Sequence, residues 1–440
     1  MFEKSSPAGN PCRVFGNGEN MLNKKKIGET ITIYRKRAGM TQKDLADVLH
    51  ISYQAVSKWE SGTSLPTVEM LCEIAGALRV STDTILQRGK WVDKAEFYRE
   101  TGLDTEKLYF LKDQLENLTS EDEKLLNTRY MEPVIYRTDV SGMEEPVHAM
   151  IMAIPGSKEK FARERGFDRE ICADVAANGM NHILAYGMKP VVLRGMVVCG
   201  NNNNEQLRNM AESLKKICEE NGVLFSGMEI GAQPMHYKPE EYHIQVGVTG
   251  VGDRAKLVTG ENIREGDVVL GLVTEGINSV NYPLFKVLMD RRPELAHAKI
   301  DGERYFSDEL LKPNTAFCRG LRLLAEDGIS HGIFKNNNLI CKKMERRIPQ
   351  GLAIRIDLGK MPVLPLYRFL MERELMEAEK MPFFFQMGIG MIVVVPEEKA
   401  ETAVELLGRY HVCYPIGRVE KYGKEKYAYG KIRAEGKLVW

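Results

Sequence analysis

Two short stretches within residues 40–62 place apolar side chains on one side of a helix, at positions i, i+1 and i+4. These positions are Leu45, Ala46 and Leu49 in the first stretch, and Ala55, Val56 and Trp59 in the second. Ile51 is an apolar residue in the turn between them, and Ser61-Gly62 ends the second stretch. The pattern predicts two short helices joined by a tight turn.

The polar residues of residues 40–62 indicate where the helices begin and what they face. Thr41 with Asp44 three positions later is typical of a capping box, and Ser52 is placed to cap the second helix. Side chains that suit contact with DNA remain on the outer side, because the second helix of such a motif presents its first residues to base edges. The candidate DNA-binding residues are Gln42, Ser52, Tyr53, Gln54, Ser57 and Lys58.

Helical patterns at 27–38 and 67–78 flank this pair and complete an all-α unit. Residues 21–90 hold eleven Lys and Arg against seven Asp and Glu, a modest basic surplus that suits phosphate contacts. The segment closely resembles the Cro/C1-type (XRE family) helix-turn-helix, which implies a lambda-repressor-like fold and double-stranded DNA as partner. The alternative is a helical module that dimerises or binds protein.

From residue 132 onward, strand-like runs alternate with helical ones in an α+β pattern of two halves, without the regular repeat of a doubly wound sheet. The expected strands are 148–154, 190–198, 242–248, 267–273, 390–395 and 416–420. The expected helices are 168–186, 206–221, 315–327, 365–376 and 399–410. The fold class is therefore multidomain, an all-α unit followed by an α+β domain.

The composition shifts predict six segments. They are a disordered tail at 1–20, the helix-turn-helix domain at 21–89, a linker helix region at 90–130 with helical patterning at 107–118, the two halves at 131–300 and 301–425, and a tail at 426–440. Met21 is a candidate natural start. The linker helix is a candidate for coiling against a second copy.

Composition narrows the class of protein. Lys plus Arg and Asp plus Glu both number 61, so affinity for nucleic acid must come from a local surface. The eight Cys show no CxxC spacing, which argues against a zinc site and a disulfide framework. No apolar run approaches the ~20 residues of a membrane helix. We expect a cytoplasmic protein with no membrane partner.

The α+β region resembles aminoimidazole ribonucleotide synthetase, phosphoribosylformylglycinamidine cyclo-ligase, over residues 130–420. The segments that carry the resemblance are ICADVAANGMNHILAYGMKP, NGVLFSGMEIGAQP, EGDVVLGLVTEGINSVNYPLFKV, LLKPNTAF and FQMGIGMIVVVP. The resemblance implies a homodimer in which one half builds a sheet with its twin. It also implies a reaction that uses ATP and Mg²⁺ to close an imidazole ring.

The chain departs from that family where chemistry is expected. A magnesium site needs hard carboxylate oxygens, yet the phosphate loop reads Gly156-Ser157-Lys158 without the family's preceding Asp, and the family's Asn-Asp pair is Asn181-His182. One acid of two survives at Glu229. The glycine-rich loop that follows His331 holds Phe334 and Lys335 in place of glycines, which should alter or fill the pocket.

The surviving polar residues define a candidate nucleotide site. Its members are Gly156, Ser157, Lys158, Asn181 and Glu229. Asp174 and Glu229 are the candidate metal ligands, and His331 is the remaining catalytic candidate. Each also has a structural explanation: a solvated lysine, a capping or surface Asp, a packed or loop histidine.

Three functions remain open. The first is a transcriptional regulator whose synthetase-like domain dimerises and senses a purine-pathway nucleotide without catalysis. The second is an active cyclo-ligase with an added DNA-binding domain. The third is a DNA-binding protein that uses the large domain only to dimerise. The replaced carboxylates and glycines favour the first over the second.

Overall fold

The computed structural model describes residues 23–86, 104–116, 118–127, 133–201, 203–423 and 430–438. The chain divides into two compact units, Met1–Phe97 and Tyr98–Trp440. The predicted tail at 1–20 and the candidate start at Met21 lie outside the described residues. So do residues 87–103, which span the end of the predicted helix-turn-helix domain and the start of the predicted linker, and part of the tail at 426–440.

The first unit is all-α. Its helices are α1 (Lys24–Arg37), α2 (Gln42–Val48), α3 (Tyr53–Glu60), α4 (Val68–Ala77) and α5 (Thr82–Leu86). Apolar side chains from all five helices meet in one core that includes Ile31, Leu45, Val56, Ile74 and Ile85, each of which is fully buried. The predicted helix pair and its flanking helices are therefore confirmed, and the fold class of this unit with them.

The helix starts agree with the sequence at Thr41 and differ at Ser52. The Asp44 amide donates to Thr41 Oγ1 and the Thr41 amide donates to Asp44 Oδ2, which forms the expected capping box. Ser52 occupies the N-cap position of α3, but its hydroxyl makes no capping hydrogen bond. The prediction of a side-chain cap at Ser52 is wrong.

The second unit begins with α6 (Thr105–Glu116) and the short strands β1 (Leu125–Asn127) and β2 (Ile135–Tyr136). Its first sheet has four strands in the order β3-β6-β4-β5. The elements are β3 (Pro146–Ala153), α7 (Lys158–Arg163), α8 (Asp168–Leu184), β4 (Lys189–Cys199), α9 (Asn204–Asn221), β5 (Leu224–Ala232) and β6 (Tyr242–Asp253). Strands β4 and β5 run parallel, and the other pairs are antiparallel. Helices α8 and α9 cover one face.

The second sheet has six strands in the order β12-β9-β11-β7-β10-β8, all antiparallel except the β12–β9 pair. The elements are β7 (Val268–Val273), α10 (Tyr282–Arg291), α11 (Phe306–Glu309), α12 (Cys318–Glu326), β8 (Gly332–Lys335), α13 (Lys342–Glu345), β9 (Leu352–Asp357), α14 (Pro365–Glu372), α15 (Met381–Phe384), β10 (Ile389–Val395), α16 (Ala400–Gly408), β11 (Cys413–Lys421) and β12 (Ile432–Glu435). The two-half α+β architecture is confirmed.

Two sequence predictions about this unit are corrected. The boundary between the halves was expected at residue 300, but β7 already belongs to the second sheet, so the change of sheet follows β6. The helix expected as a linker, α6, buries Leu108, Leu111 and Leu115 in the core of the first half and contacts α9 and β5. Burial of this stripe makes α6 part of the domain.

Within the described ranges, no helix combines the length and apolar character needed to cross a membrane.

Candidate functional site

The turn between α2 and α3 fixes the second helix of the pair relative to the first. His50 adopts a left-handed backbone conformation with a φ of 53°, and the Ile51 amide donates to the Ala46 carbonyl at 3.0 Å. This bond satisfies a carbonyl at the end of α2 that would otherwise lack a partner. Ile51 then packs against the core beside Ala46.

Helix α3 buries one side and exposes the other. Val56 is fully buried and Trp59 is 8% exposed. On the opposite side Tyr53, Gln54 and Lys58 are exposed to solvent, and Ser52 precedes them at the exposed helix start. The sequence predicted this division, because the apolar spacing left these polar residues outward.

Gln42 differs from the other candidate DNA-binding residues, because its amide is used inside the unit. Gln42 Nε2 donates to Glu60 Oε2 at 2.6 Å, and Arg35 donates to both oxygens of Glu60 at 2.5 and 2.9 Å. Although burial opposes it, these hydrogen bonds hold the pKa of Glu60 below its ordinary value. This network ties α1 and α2 to the end of α3, so contact of Gln42 with DNA requires that its bond to Glu60 be released.

In the second unit, a cavity of about 290 Å³ opens between the first and second halves. Its apolar wall comes from β3, α8, the turn after α8, and the second half. These lining residues are Ala149, Met150, Ile151, Ile183, Ala185, Tyr186, Met188, Phe334 and Met344. Its polar lining is His182, Lys335, Asn337, Lys343 and Arg347. The cavity therefore joins an apolar wall to a strongly cationic one.

The electrostatics of the cavity follow from this crowding of cations. Burial lowers the pKa of Lys335 to about 8, against the attraction of Asp174 and with a further lowering by Lys343. Burial, Lys335 and Lys343 lower the pKa of His182 to about 4. At neutral pH His182 is therefore uncharged while Lys335 is mostly protonated.

Arg347 has a structural role at the edge of the cavity. Its guanidinium donates to the carbonyl oxygens of Thr259, Ile333, Ala185 and Val258. The same group stacks over Tyr186, with its central carbon 4.4 Å from the ring centre. These carbonyls take four of its five N–H groups, so the more accessible cations of the cavity are the two lysines.

Three loops that the sequence singled out meet next to the cavity. Asn278 Nδ2 donates to Asn337 Oδ1 at 2.8 Å, and Lys335 Nζ donates to the same oxygen at 2.7 Å. Gly156 has a φ of 58°, and a Cβ added to it would lie 3.4 Å from Ser279 Oγ. The loop at 156–158, the turn at 278–281 and the loop at 336–338 are thus neighbours.

Lys158 and Asp174 form a buried ion pair. Lys158 Nζ lies 2.9 Å from Asp174 Oδ1 and also donates to the carbonyls of Lys312 and Ile277. Asp174 Oδ1 accepts two further bonds from Asn314, from its amide and its Nδ2. Burial lowers the pKa of Lys158, which the pairing with Asp174 opposes. This pair fastens α7 and α8 to the 312–314 segment, and its ammonium is enclosed by protein acceptors.

Asn181, Glu229 and His331 lie apart from one another. Asn181 donates to the Thr315 carbonyl and accepts from the Phe317 amide. Glu229 lies within β5 and pairs with Arg194 at 2.8 Å. His331 Nδ1 lies 2.8 Å from Asp267 Oδ2. Apart from the consecutive residues 156–158, the candidate nucleotide and metal residues that share a hydrogen bond are Lys158 and Asp174.

The described residues do not fit the magnesium centre that the resemblance implies. Among them, no group of three or more His, Cys, Asp or Glu side chains is placed to hold a metal ion. The described lining of the cavity includes three cationic side chains and no carboxylate. Asp174, a buried acid and a candidate metal ligand from the sequence, already accepts hydrogen bonds from Lys158 and Asn314.

Sequence reasoning missed Lys343 and Asn337 and considered Lys335 only as an obstruction. The available signal was Lys335 at a glycine position of the family loop, beside the Asn run at 336–338. Lys343 carried no local signal, because only the packing of α13 against the first half brings it to the cavity.

Two family models match the chain. Residues 31–85 match the helix-turn-helix family, and residues 340–430 match the C-terminal domain of AIR synthase related proteins. The first match covers α2 and α3 and shows a helix-turn-helix domain of the type that binds DNA. The second covers the region from α13 to β11.

Known proteins match over the second unit. The phosphoribosylformylglycinamidine cyclo-ligase of Oceanobacillus iheyensis is 27% identical over 350 residues, 78% of this chain and 98% of that protein. The thiamine-monophosphate kinase of Stenotrophomonas maltophilia has a TM-score of 0.53 at 15% identity over 74% of this chain and 96% of that chain, which is a likeness of fold. The cyclo-ligase of Geobacillus kaustophilus is 31% identical over 282 residues, 62% of this chain and 81% of that protein. With this identity over most of the relative's length, and with the two-sheet architecture in place, the chain belongs to the phosphoribosylformylglycinamidine cyclo-ligase family.

Proposed function

We propose that this protein is a sequence-specific DNA-binding transcriptional regulator. Its cyclo-ligase-related domain dimerises and senses a purine-pathway nucleotide, and it does not catalyse ring closure. The observation that carries the proposal is the combination of an exposed polar face on α3 with a cavity whose described lining holds cations and no carboxylate.

The exposed residues of α3 support sequence-specific binding to double-stranded DNA. Gln can pair bidentately with adenine, and Lys can reach the acceptors of guanine. Gln54 and Lys58 are exposed on the same helix, and Lys24, Lys25 and Lys26 at the start of α1 are exposed as well. Exposed cations of this kind supply the phosphate contacts that position a reader on the duplex.

The cavity supports a sensor over an enzyme. Loss of one group that stabilises developing charge costs ~10²–10³ in rate. Here His182 replaces one family acid, the Asp before Gly156 is absent, and Lys335 replaces a glycine. A site that lost its magnesium ligands retains a pocket but not the electrostatic stabilisation on which ATP-dependent closure depends.

The open face of the first sheet supports a homodimer. Met150 is 70% exposed, Met152 is 50% exposed, and Ile154 is 61% exposed on the side of β3 away from α8. A group of exposed apolar residues on one face is typical of an interaction surface. A dimer would present two reading helices, so its half-sites should lie one or more helical turns, ~10 bp each, apart.

Substitution of the exposed α3 residues tests DNA reading. We expect Gln54→Ala and Lys58→Ala each to weaken operator affinity by ~1–3 kcal/mol per lost bidentate contact. The operator is first mapped by genomic footprinting, and affinity is then measured by fluorescence anisotropy. Glu73→Ala, an exposed change on α4, is the matched control and should leave affinity unchanged. Unaltered binding by both α3 variants would remove these residues from base readout.

An activity assay separates the regulator from the second candidate, an active cyclo-ligase with a DNA-binding domain. We expect no ATP-dependent cyclisation of formylglycinamidine ribonucleotide by the purified full chain, measured by release of ADP and formation of aminoimidazole ribonucleotide. The Geobacillus enzyme is the positive control. Turnover within about a hundredfold of that enzyme would establish the second candidate. Calorimetry with purine nucleotides that shows no binding would favour a domain used only to dimerise.

A further inference from the structure

The two lysines of the cavity form no direct ion pair with a carboxylate among the described residues, although Asp174 attracts Lys335 from a distance. Lys335 Nζ donates to one acceptor within the described residues, Asn337 Oδ1, although an ammonium has three N–H groups. Lys343 forms no ion pair in the described part of the chain and is exposed at the rim. Lys343 repels Lys335, because it is one of the causes that lower the pKa of Lys335.

An anion would relieve this repulsion. Asn337 is itself held by Asn278, so the Lys335 ammonium is fixed at one point while its other N–H groups remain for a ligand. His182 lies on the same cavity with no hydrogen-bond partner among the described residues, and it is neutral at pH 7 because its pKa is about 4. A neutral imidazole has one N–H to donate to an anion and adds no further repulsion.

The apolar wall indicates what carries the anion. Met150, Ile151, Met188, Phe334 and Met344 are among the apolar residues that line the cavity. Thioether and aromatic groups pack well against flat rings. The volume of about 290 Å³ is close to the lower end of small-ligand pockets, ~300 Å³, so it suits a compact ligand.

We infer that the cavity binds the phosphate monoester of a nucleoside directly through Lys335 and Lys343, with no divalent cation. The ammonium groups replace the charge that a metal ion supplies in a carboxylate site. This inference deepens the sensor role of the proposed function and rests on it for biological meaning. The binding itself stands on the cavity alone.

The test is calorimetric titration of the full chain with adenosine 5′-monophosphate, once with Mg²⁺ and once with EDTA. We expect equal affinity in both buffers and at least about tenfold weaker binding of adenosine, which lacks the phosphate. Lys335→Met and Lys343→Met should each weaken binding by about tenfold to a hundredfold, the range for a charge-assisted hydrogen bond. Lys342→Met, a neighbouring exposed lysine that does not line the cavity, should leave affinity unchanged.

The contrary outcomes are specific. Binding that disappears in EDTA would overturn the inference in favour of a metal site. Equal affinity for adenosine and its monophosphate, or no binding of adenosine 5′-monophosphate, inorganic phosphate or ribose 5-phosphate, would overturn it as well. Thermal melting of each variant confirms that it is folded. Operator binding without ligand is measured in parallel, so failure of the cavity and failure of DNA reading are separate results.

Discussion

At the scale of single residues, we expect ligand binding in the cavity to depend on Lys335 more than on the nucleotide-binding candidates that the family resemblance implied. Lys335 is partly buried, fixed by Asn337, and repelled by Lys343. Lys158 lies in the phosphate loop that the resemblance implies, but its ammonium already donates to Asp174 and to two carbonyls. A buried pair of this kind costs several kcal/mol when one partner is removed, so Lys158 is expected to hold the fold together.

The pKa of Lys335 predicts how ligand affinity depends on pH. Burial lowers it to about 8, so the ammonium is present at pH 7 and lost as the pH rises through 8. The other groups that act on it are Asp174, Lys343 and Cys341, while His182 stays neutral above about pH 4. We expect affinity for adenosine 5′-monophosphate to fall between about pH 7.5 and 9, because a lysine with this pKa loses its proton over that range.

Replacement of this lysine by arginine provides the control. Arginine remains charged at every pH in that range, so Lys335→Arg should bind with little change between pH 7.5 and 9. Calorimetry at both pH values measures the difference. A wild-type affinity that is flat with pH, or a variant that falls as steeply, would mean that another group titrates.

At the scale of elements, α1 and α3 of the first unit cross with backbone against backbone. A Cβ added at Gly28 would lie 2.2 Å from the Trp59 carbonyl oxygen and 2.7 Å from that of Glu60. Arg35, about two turns further along α1, closes the same crossing through its pair with Glu60. The position of α3 relative to α1 therefore depends on one glycine and one ion pair.

We expect Gly28→Ala to destabilise the first unit by about 2 kcal/mol or more, because backbone atoms cannot move aside as a flexible side chain can. Gly76→Ala is the matched control, another helical glycine in the same unit with nothing within 4 Å of the added Cβ. It should leave stability unchanged or raise it by up to ~1 kcal/mol. Hydrogen–deuterium exchange of amides in α1 and α3 of the full chain measures both. Equal protection in the two variants would contradict the close crossing.

Helix α6 is a packed part of the second unit. Its Leu stripe is buried against α9 and β5, so it is not available to coil against a second copy over that stripe. The open face of the first sheet is an exposed apolar surface available for pairing, and a Cβ added at Gly247 would lie 3.2 Å from the sulfur of Met152 on that face.

At the scale of the whole molecule, we expect a homodimer that pairs through this sheet face. Met152→Asp with Ile154→Asp should weaken dimerisation by more than about a hundredfold, because it would bury unpaired charges at the interface. Neither residue lines the cavity. Sedimentation velocity measures the change. The control is Tyr410→Asp, a substitution in the second half at a side chain that is 49% exposed.

The same pair of variants tests whether pairing serves DNA binding. A monomer should bind one half-site and lose the added affinity of two half-sites spaced by whole turns of ~10 bp. A variant that stays dimeric would exclude this face as the interface. A monomer with full affinity for the paired operator would show that dimerisation and DNA reading are independent.

The sequence by itself determined the local elements of this protein. The apolar spacing of α2 and α3, the Thr41–Asp44 cap and the outward Gln54 and Lys58 depend on residues within a few positions of one another, which a sequence pattern can report. The family also followed from the order of its segments. Its missing acids were visible in the sequence too.

Only the tertiary structure decided which of those residues meet. The sequence could not show that Lys158 is enclosed by Asp174, that Glu229 pairs with Arg194, or that Lys343 reaches the cavity. These contacts join segments far apart in the chain, and their geometry depends on how the two sheets and their helices pack. Burial and charge are properties of that packing, so the cationic lining of the cavity became visible only in three dimensions.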